Sequence, residues 1–434
     1  MAVNMAETSA PAEPGHQNAL DGLRAAAALA VLAFHVSGQT GIAWQGTLGG
    51  RISSRADVAV AIFFTLSGLL LYRPWARATL AGTSRPSSLS YLWRRALRIL
   101  PLYWILVAVA LFAFSPDHVR SVSTWVRWLT FSQIYVPTPW WELPGPRGLA
   151  HMWSLSTEVA FYLMLPFLAA ALAAIARLGE RRRRRRGRPS RTTDVARRGR
   201  RVLLTLAVLS LVSPLFNAWV IQTQQNFQMY LWLPRSLWWF TAGMAIAVIR
   251  EWAKLEPGPV RSFGRMLATA PGAAWLIAVA AYAVACTDVG GPVIPSSLKI
   301  PLWENEARLA LYLVVAAGLV APAALQPANE TFVSWLFGNG LMRFLGRISY
   351  GIFLWQFVVI YTYYNIVDRG PLTFDYLPIL LISVLGTIAL ATVSYYLVEK
   401  PAMRLRHVGR RRRQAPPIEP VPQTPIIHWH TNAT

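Results

Sequence analysis

The stretch LDGLRAAAALAVLAFHVS, residues 20–37, is long and apolar enough to cross a bilayer, yet it carries Asp21, Arg24 and His35. At about 100° per residue, Arg24 and His35 differ by only about 20° around the helix axis, and Asp21 lies within about 60° of Arg24. The three ionisable groups therefore share one narrow face, strung along about 20 Å of helix. A charge in hydrocarbon costs roughly 2.5–3.5 kcal/mol even on lenient insertion scales, so such residues normally face a protein-lined or wet interior. A charged flank with one tolerated histidine accounts for this pattern less well than a functional site on that face.

The rest of the chain has the same character. Of its 434 residues 54% are hydrophobic, and mean hydropathy is +0.37. A soluble domain does not need so many long apolar runs, so the composition reads as an integral membrane protein. Ten spans are expected, at 20–38, 56–73, 98–115, 152–176, 202–221, 230–249, 270–287, 307–325, 342–367 and 376–398. Each is near the ~20 residues that cover a hydrocarbon core. With the N-terminus inside, the loops on its side and the C-terminal tail hold 32 Lys and Arg, and the opposite loops hold 8. That bias predicts an all-α polytopic membrane protein of about ten transmembrane helices with both termini cytoplasmic.

The net charge of +23 would suggest nucleic acid in a soluble protein. Here the basic residues fall between apolar spans, so topology explains them and no nucleic-acid partner is expected. The Arg-rich run at 177–201 reads as a disordered cytoplasmic loop that fixes orientation and touches anionic lipid. Residues 1–19 form a cytoplasmic tail, 20–406 a single transmembrane domain, and 407–434 a disordered basic, Pro-rich tail. Residues 1–18 lack a basic n-region, so the first span is read as a retained helix. Cys286 is the only cysteine, which excludes a disulfide framework and any thiolate metal cluster. No metal site, GxSxG elbow, phosphate loop or HExxH pair is present in the sequence.

A second polar concentration, HMWSLSTEVAFY at 151–162, opens the fourth span. His151, Ser154 and Glu158 share a helix face. Trp153 and Tyr162 suit a headgroup boundary, but a glutamate one and a half turns into a membrane helix needs a partner or water. From the cytoplasmic entry near Leu20, His35 lies about 22 Å deep, some 8 Å short of the outer boundary. Glu158 lies about 9 Å below that same boundary. The matching depths predict an acid/base pair, with Glu158 fixing the tautomer of His35. Arg95 and Arg98, at i and i+3, form a fork of guanidiniums suited to phosphate, and Arg24 is a third candidate for the same anion site.

At these motifs the chain resembles the acyltransferase-3 family of bacterial integral-membrane O-acyltransferases. The resemblance runs in order through Leu20–Arg24, the Arg24/His35 spacing, Phe63-Phe64-Thr-Leu-Ser67-Gly68 and the stretch from Arg95 through Arg98 and Pro101 to Tyr103-Trp104. It continues through His151-Met-Trp153-Ser154 to Glu158, Gly346-Arg347 to Trp355, and Glu399-Lys400-Pro401. It implies transfer of an acyl group, often acetyl, from cytoplasmic acyl-CoA to a hydroxyl, with no bound cofactor. It implies an acceptor that is a surface glycan, glycolipid or macrolide-like metabolite, and a multi-pass protein of the bacterial cytoplasmic membrane. It also implicates Arg24, His35, Arg95, Arg98, Ser154 and Glu158, with Ser67, Tyr103 and His151 in the matched motifs.

Two departures stand out. Val159 and Ala160 replace an acidic residue and a glutamine of many relatives, and Gln356 stands where relatives often have histidine. No hydrolase-like domain follows the last span, so a partner acting outside is expected to be a separate protein.

On this reading Arg24, Arg95 and Arg98 hold the phosphates of acyl-CoA. The ~16 Å from Arg24 to His35 is spanned by the pantetheine arm. His35 then takes the acceptor proton or carries the acyl group, oriented by Glu158, while Asp21 pairs with Arg24 or an arginine of the third span. The rival is a proton-coupled transporter or flippase, which also uses intramembrane Asp, His and Glu. The absence of inverted similarity or paired broken helices counts against it. A catalytically silent scaffold is the third reading.

Overall fold

The computed structural model describes residues 14–142, 144–180, 191–223, 226–291, 301–325 and 332–407. Among them every regular element is helical. The helices are α1 (Pro14–Thr40), α2 (Leu48–Ser54), α3 (Val58–Ala81), α4 (Ser88–Phe114), α5 (Val122–Leu129), α6 (Trp153–Ala176), α7 (Arg191–Ser210) and α8 (Val212–Gln222). They continue as α9 (Leu233–Leu255), α10 (Pro259–Thr269), α11 (Pro271–Ala285), α12 (Leu302–Leu325), α13 (Phe332–Phe337), α14 (Gly340–Ile366), α15 (Tyr376–Ser394) and α16 (Lys400–Arg404). Local chemistry sets several ends. Ser87 caps α4 by accepting from the Ser90 amide, and Asn339 caps α14 by accepting from Met342. Gly82, at φ 75°, closes α3 in the left-handed conformation.

Among the described residues, eight segments are long and apolar enough to cross a membrane. A ninth is the pair α10 and α11, bent by 72°, where Pro271 cannot continue the preceding hydrogen-bond ladder. The span expected at 230–249 is present as α9 but falls outside that apolar set. It carries Arg235, Arg250, Glu251 and Lys254, and it packs along α3 inside the bundle, where protein rather than lipid surrounds it.

Two parts of the expected domain plan look different. The first helix begins at Pro14 rather than Leu20. The run expected as a loop over 177–201 is helical from Arg191. There Arg198 lies 2.7 Å and Arg197 3.4 Å from Glu180, so the carboxylate neutralises part of the repulsion that would keep the arginines apart. Residues 181–190 and the tail from 408 lie outside the described residues.

The helix α1 runs through the centre. Leu20, Leu23, Ala27 and Val31 join the main core, and Ala25 and Ala28 meet Ile348 and Ile352 of α14. Leu32 and Val36 pack against Phe357 and Ile360. Close approach is bought with glycine. A Cβ on Gly243 of α9 would stand 1.9 Å from the Thr65 carbonyl, and one on Gly68 of α3 would stand 2.2 Å from that of Phe240. Beside this crossing Phe64, Phe240 and Phe161 stack, with centroids 4.5 and 4.1 Å apart. On the outside, Phe112, Phe167, Leu204 and Leu385 are exposed, a surface suited to lipid and not to water.

Candidate active site

Five helices bring polar residues to one small chamber of about 70 Å³, α14 among them with Ser349 and Tyr350. Arg24 comes from α1, Ser67 from α3, Arg95 and Arg98 from α4, and Ser154, Glu158 and Tyr162 from α6. The spacings account for the convergence. Arg95 and Arg98 are one turn apart, and Ser154, Glu158 and Tyr162 follow at intervals of four. The Tyr350 hydroxyl donates 2.8 Å to the Ile99 carbonyl, which pins α14 against α4 at the chamber wall.

Among the described residues, Arg24, Arg95 and Arg98 form no ion pair, and the buried Arg95 Nε has no hydrogen-bond partner. Asp21, expected to pair with one of these arginines, forms no ion pair either. It faces Arg24, Arg98 and Arg347 electrostatically while its backbone packs on Gly346. Glu158 lines the same chamber, yet no carboxylate pairs directly with these cations, so three converging guanidiniums of this kind form a ready anion site. Sequence reasoning missed a further carboxylate nearby, Glu399, which is 1% exposed with both oxygens unbonded and within electrostatic reach of Arg98 and Arg24. In the sequence the Glu399-Lys400-Pro401 run was one of the matched motifs, with no role given to its carboxylate.

A second, larger chamber of about 490 Å³ lies beside the first. His35, Gln39, Asp57 and His151 supply its polar groups, and Phe34, Trp44, Trp153 and Phe357 its aromatic walls. Val60, Ser154 and Phe353 line both chambers, so they form the partition between them. Asp57 was not singled out in the sequence, where it falls inside the span expected at 56–73. It accepts from the Tyr312 hydroxyl and faces Arg308, Arg55 and Arg235.

The expected bond between His35 and Glu158 is not what the fold builds. Glu158 accepts from the Ser67 hydroxyl in the arginine chamber. His35 places Nδ1 3.0 Å from Gln356 Oε1, its ring 4.4 Å from Phe357 and 5.8 Å from His151. Depth is a coordinate along each helix, and it does not say which neighbour covers which face. The long packing of α1 on α14 turns the His35 face toward Gln356, while α6 presents Glu158 to α3.

His151, 2% exposed, is held through Nε2 by the Leu354 carbonyl at 3.2 Å, and it is the imidazole next to His35. Ser154 sits in the partition and donates 3.2 Å back to the His151 carbonyl. Tyr103 lines neither chamber; its hydroxyl donates 2.7 Å to the Trp128 carbonyl and its ring stacks on Phe131. No cluster of three or more His, Cys, Asp or Glu side chains suited to a metal occurs among the described residues.

The family model described as an acyltransferase domain matches residues 17–396. Nodulation protein 10 of Rhizobium leguminosarum bv. viciae is 25% identical over 417 residues, covering 90% of this chain and 95% of its own. The acyltransferase MdmB of Streptomyces mycarofaciens is 33% identical over 156 residues, 34% of this chain and 38% of its own. The O-acetyltransferase OatA of Staphylococcus aureus is 22% identical over 404 residues, 89% of this chain but 57% of its own length. No solved structure matches.

Proposed function

Since the chain belongs to the acyltransferase-domain family, we propose that it moves an acyl group, acetyl in the first instance, from cytoplasmic acyl-CoA to a hydroxyl of a cell-envelope glycan, a glycolipid or a macrolide-like metabolite. That it is a membrane acyltransferase follows from the family and from the apolar helices. The donor, the acceptor and a seat in the bacterial cytoplasmic membrane are the finer reading. The observation that carries it is the pair of adjoining chambers: three guanidiniums that make no direct ion pair on one side of the partition and His35 on the other.

In this reading Arg24, Arg95 and Arg98 bind the phosphates of the donor as planar, multidentate cations. The thioester passes the partition formed by Val60, Ser154 and Phe353. His35 takes the proton of the acceptor hydroxyl. The hydroxyl oxygen bonds to the thioester carbonyl carbon, the C–S bond breaks, and the CoA thiolate departs with its charge. Aromatic walls at Trp44, Trp153 and Phe357 hold the acceptor, and holding both reactants in line supplies much of the rate. Glu158, bonded to Ser67, serves the arginine chamber by balancing its charge, and Asp21 does so from its rim.

The test is mass spectrometry of envelope glycans and secreted metabolites from a host with and without the gene. Membranes supplied with acetyl-CoA are then assayed for thiol release. A lost acyl mass together with acceptor-dependent thiol release supports the proposal. Membranes that turn over no acyl-CoA while moving a solute would favour a proton-coupled transporter.

A further inference from the structure

The imidazole of His35 has two nitrogens, and only one can be the base. The fold decides which through Gln356, on the α14 face packed against α1. The Gln356 Nε2 donates 2.8 Å to the Phe353 carbonyl one turn back. An amide nitrogen is donor only, so this bond fixes the amide orientation and turns Oε1, an acceptor only, toward His35. At 3.0 Å from Oε1, His35 Nδ1 must carry the proton. The opposite nitrogen, Nε2, is then left with its lone pair. The ring is further clamped by Phe357 at 4.4 Å and Phe34 at 5.1 Å. Gln356 is itself 0% exposed, so water does not compete for either bond.

We infer that Gln356 is the positioning residue of the active-site histidine: it holds neutral His35 as the Nδ1–H tautomer and reserves Nε2 for the acceptor proton. A charged carboxylate does this work in many acid–base pairs, whereas an amide orients without adding charge. The titratable groups that share the chamber with His35 are His151 and Asp57. The first is engaged with the Leu354 carbonyl and the second with Tyr312, and neither is bonded to Gln356. The inference rests on the acyl-transfer reading only for what Nε2 does; the tautomer itself is independent of it.

The experiment uses full-length protein in lipid nanodiscs, labelled with ¹⁵N-histidine, with the His35 signals assigned by their loss in His35→Asn. The wild type is expected to show a protonated, proton-coupled Nδ1 and a bare Nε2. Gln356→Met, close in shape but without an acceptor, should release the Nδ1–H form. With acetyl-CoA as donor and host extract as acceptor source, it should lower kcat by about 10- to 100-fold at unchanged KM, the size of one hydrogen bond to the imidazolium that forms. Gln356→Glu keeps an acceptor, so it should restore the tautomer. It should also move the acid limb of the kcat/KM profile up by about 1–3 pH units, because an adjacent carboxylate favours the charged ring. A wild-type His35 protonated on Nε2, or a Gln356→Met protein with unaltered spectrum and pH profile, overturns the inference. Full activity in His35→Ala would instead strike the base assignment and leave the spectra to judge Gln356.

Discussion

Substituting Gly243 by alanine tests whether the helix crossing behind the chambers sets their geometry. The new Cβ would stand 1.9 Å from the Thr65 carbonyl, where real contacts do not fall below 3.0 Å, so α3 and α9 must part by the 1.1 Å difference. The neighbour is backbone and cannot swing aside. On one side of the crossing α3 carries Val60 in the partition and Ser67 on Glu158. Overpacking of this kind costs roughly 1–3 kcal/mol of stability, and a reacting group displaced by about 1 Å can lose about 10² in rate. Gly243→Ala should therefore lower acyl transfer about 100-fold and melt earlier in a fluorescence-detected size-exclusion assay. Gly272→Ala, with nothing within 4 Å of its Cβ, should leave both unchanged. A Gly243→Ala protein with wild-type rate and melting would refute the claim that this crossing positions the site.

Arg95→Lys and Arg98→Lys should each raise the apparent KM for acyl-CoA by about tenfold or more, since a point charge replaces a planar fork; titration of initial rate against acyl-CoA checks this. Ser67→Ala removes the hydroxyl bonded to Glu158 and should lower kcat/KM by about 10- to 100-fold, the range for a hydrogen bond to a charged group. Beyond the end of α6, burial alone would raise the Glu180 carboxyl, but its bonds to Arg198 and the charge of Arg197 hold it below the ordinary value. Because the folded carboxyl is the stronger acid, the pair stabilises above the unfolded value of about 4.3 and that stabilisation is lost as pH falls through the folded one. The melting difference between wild type and Glu180→Gln should thus be full near neutrality and shrink below about pH 4.

Most of the fold was legible because a membrane helix announces itself by length and apolarity. The spans on either side of His35 and Glu158 fall where the composition puts them. At the two departures at 230–249 and 191–201 charge is met by partners outside the helix that carries it: Arg198 of α7 pairs with Glu180, and Glu251 of α9 pairs with Arg73 of α3. The arginine chamber was legible too, since three cations at one end of two helices have few places to go. The partner of His35 was not. Depth along a helix follows from counting, whereas azimuth against a neighbour depends on tertiary packing, and Gln356 and Asp57 carry no periodic signal. Gln356 drew notice only as a departure from the resembled pattern, and Asp57 drew none.

The central claim is that the imidazole on the opening helix performs the proton transfer beside the arginine chamber. It is tested most directly by complementing a gene-deleted host with the wild-type or His35→Ala allele and measuring the acylated product by mass spectrometry at matched membrane levels. Loss of a catalytic base costs roughly 10²–10⁴ in rate, so the acyl mass should vanish from the His35→Ala strain while the protein remains in the membrane. An undiminished acyl mass in that strain would contradict the account.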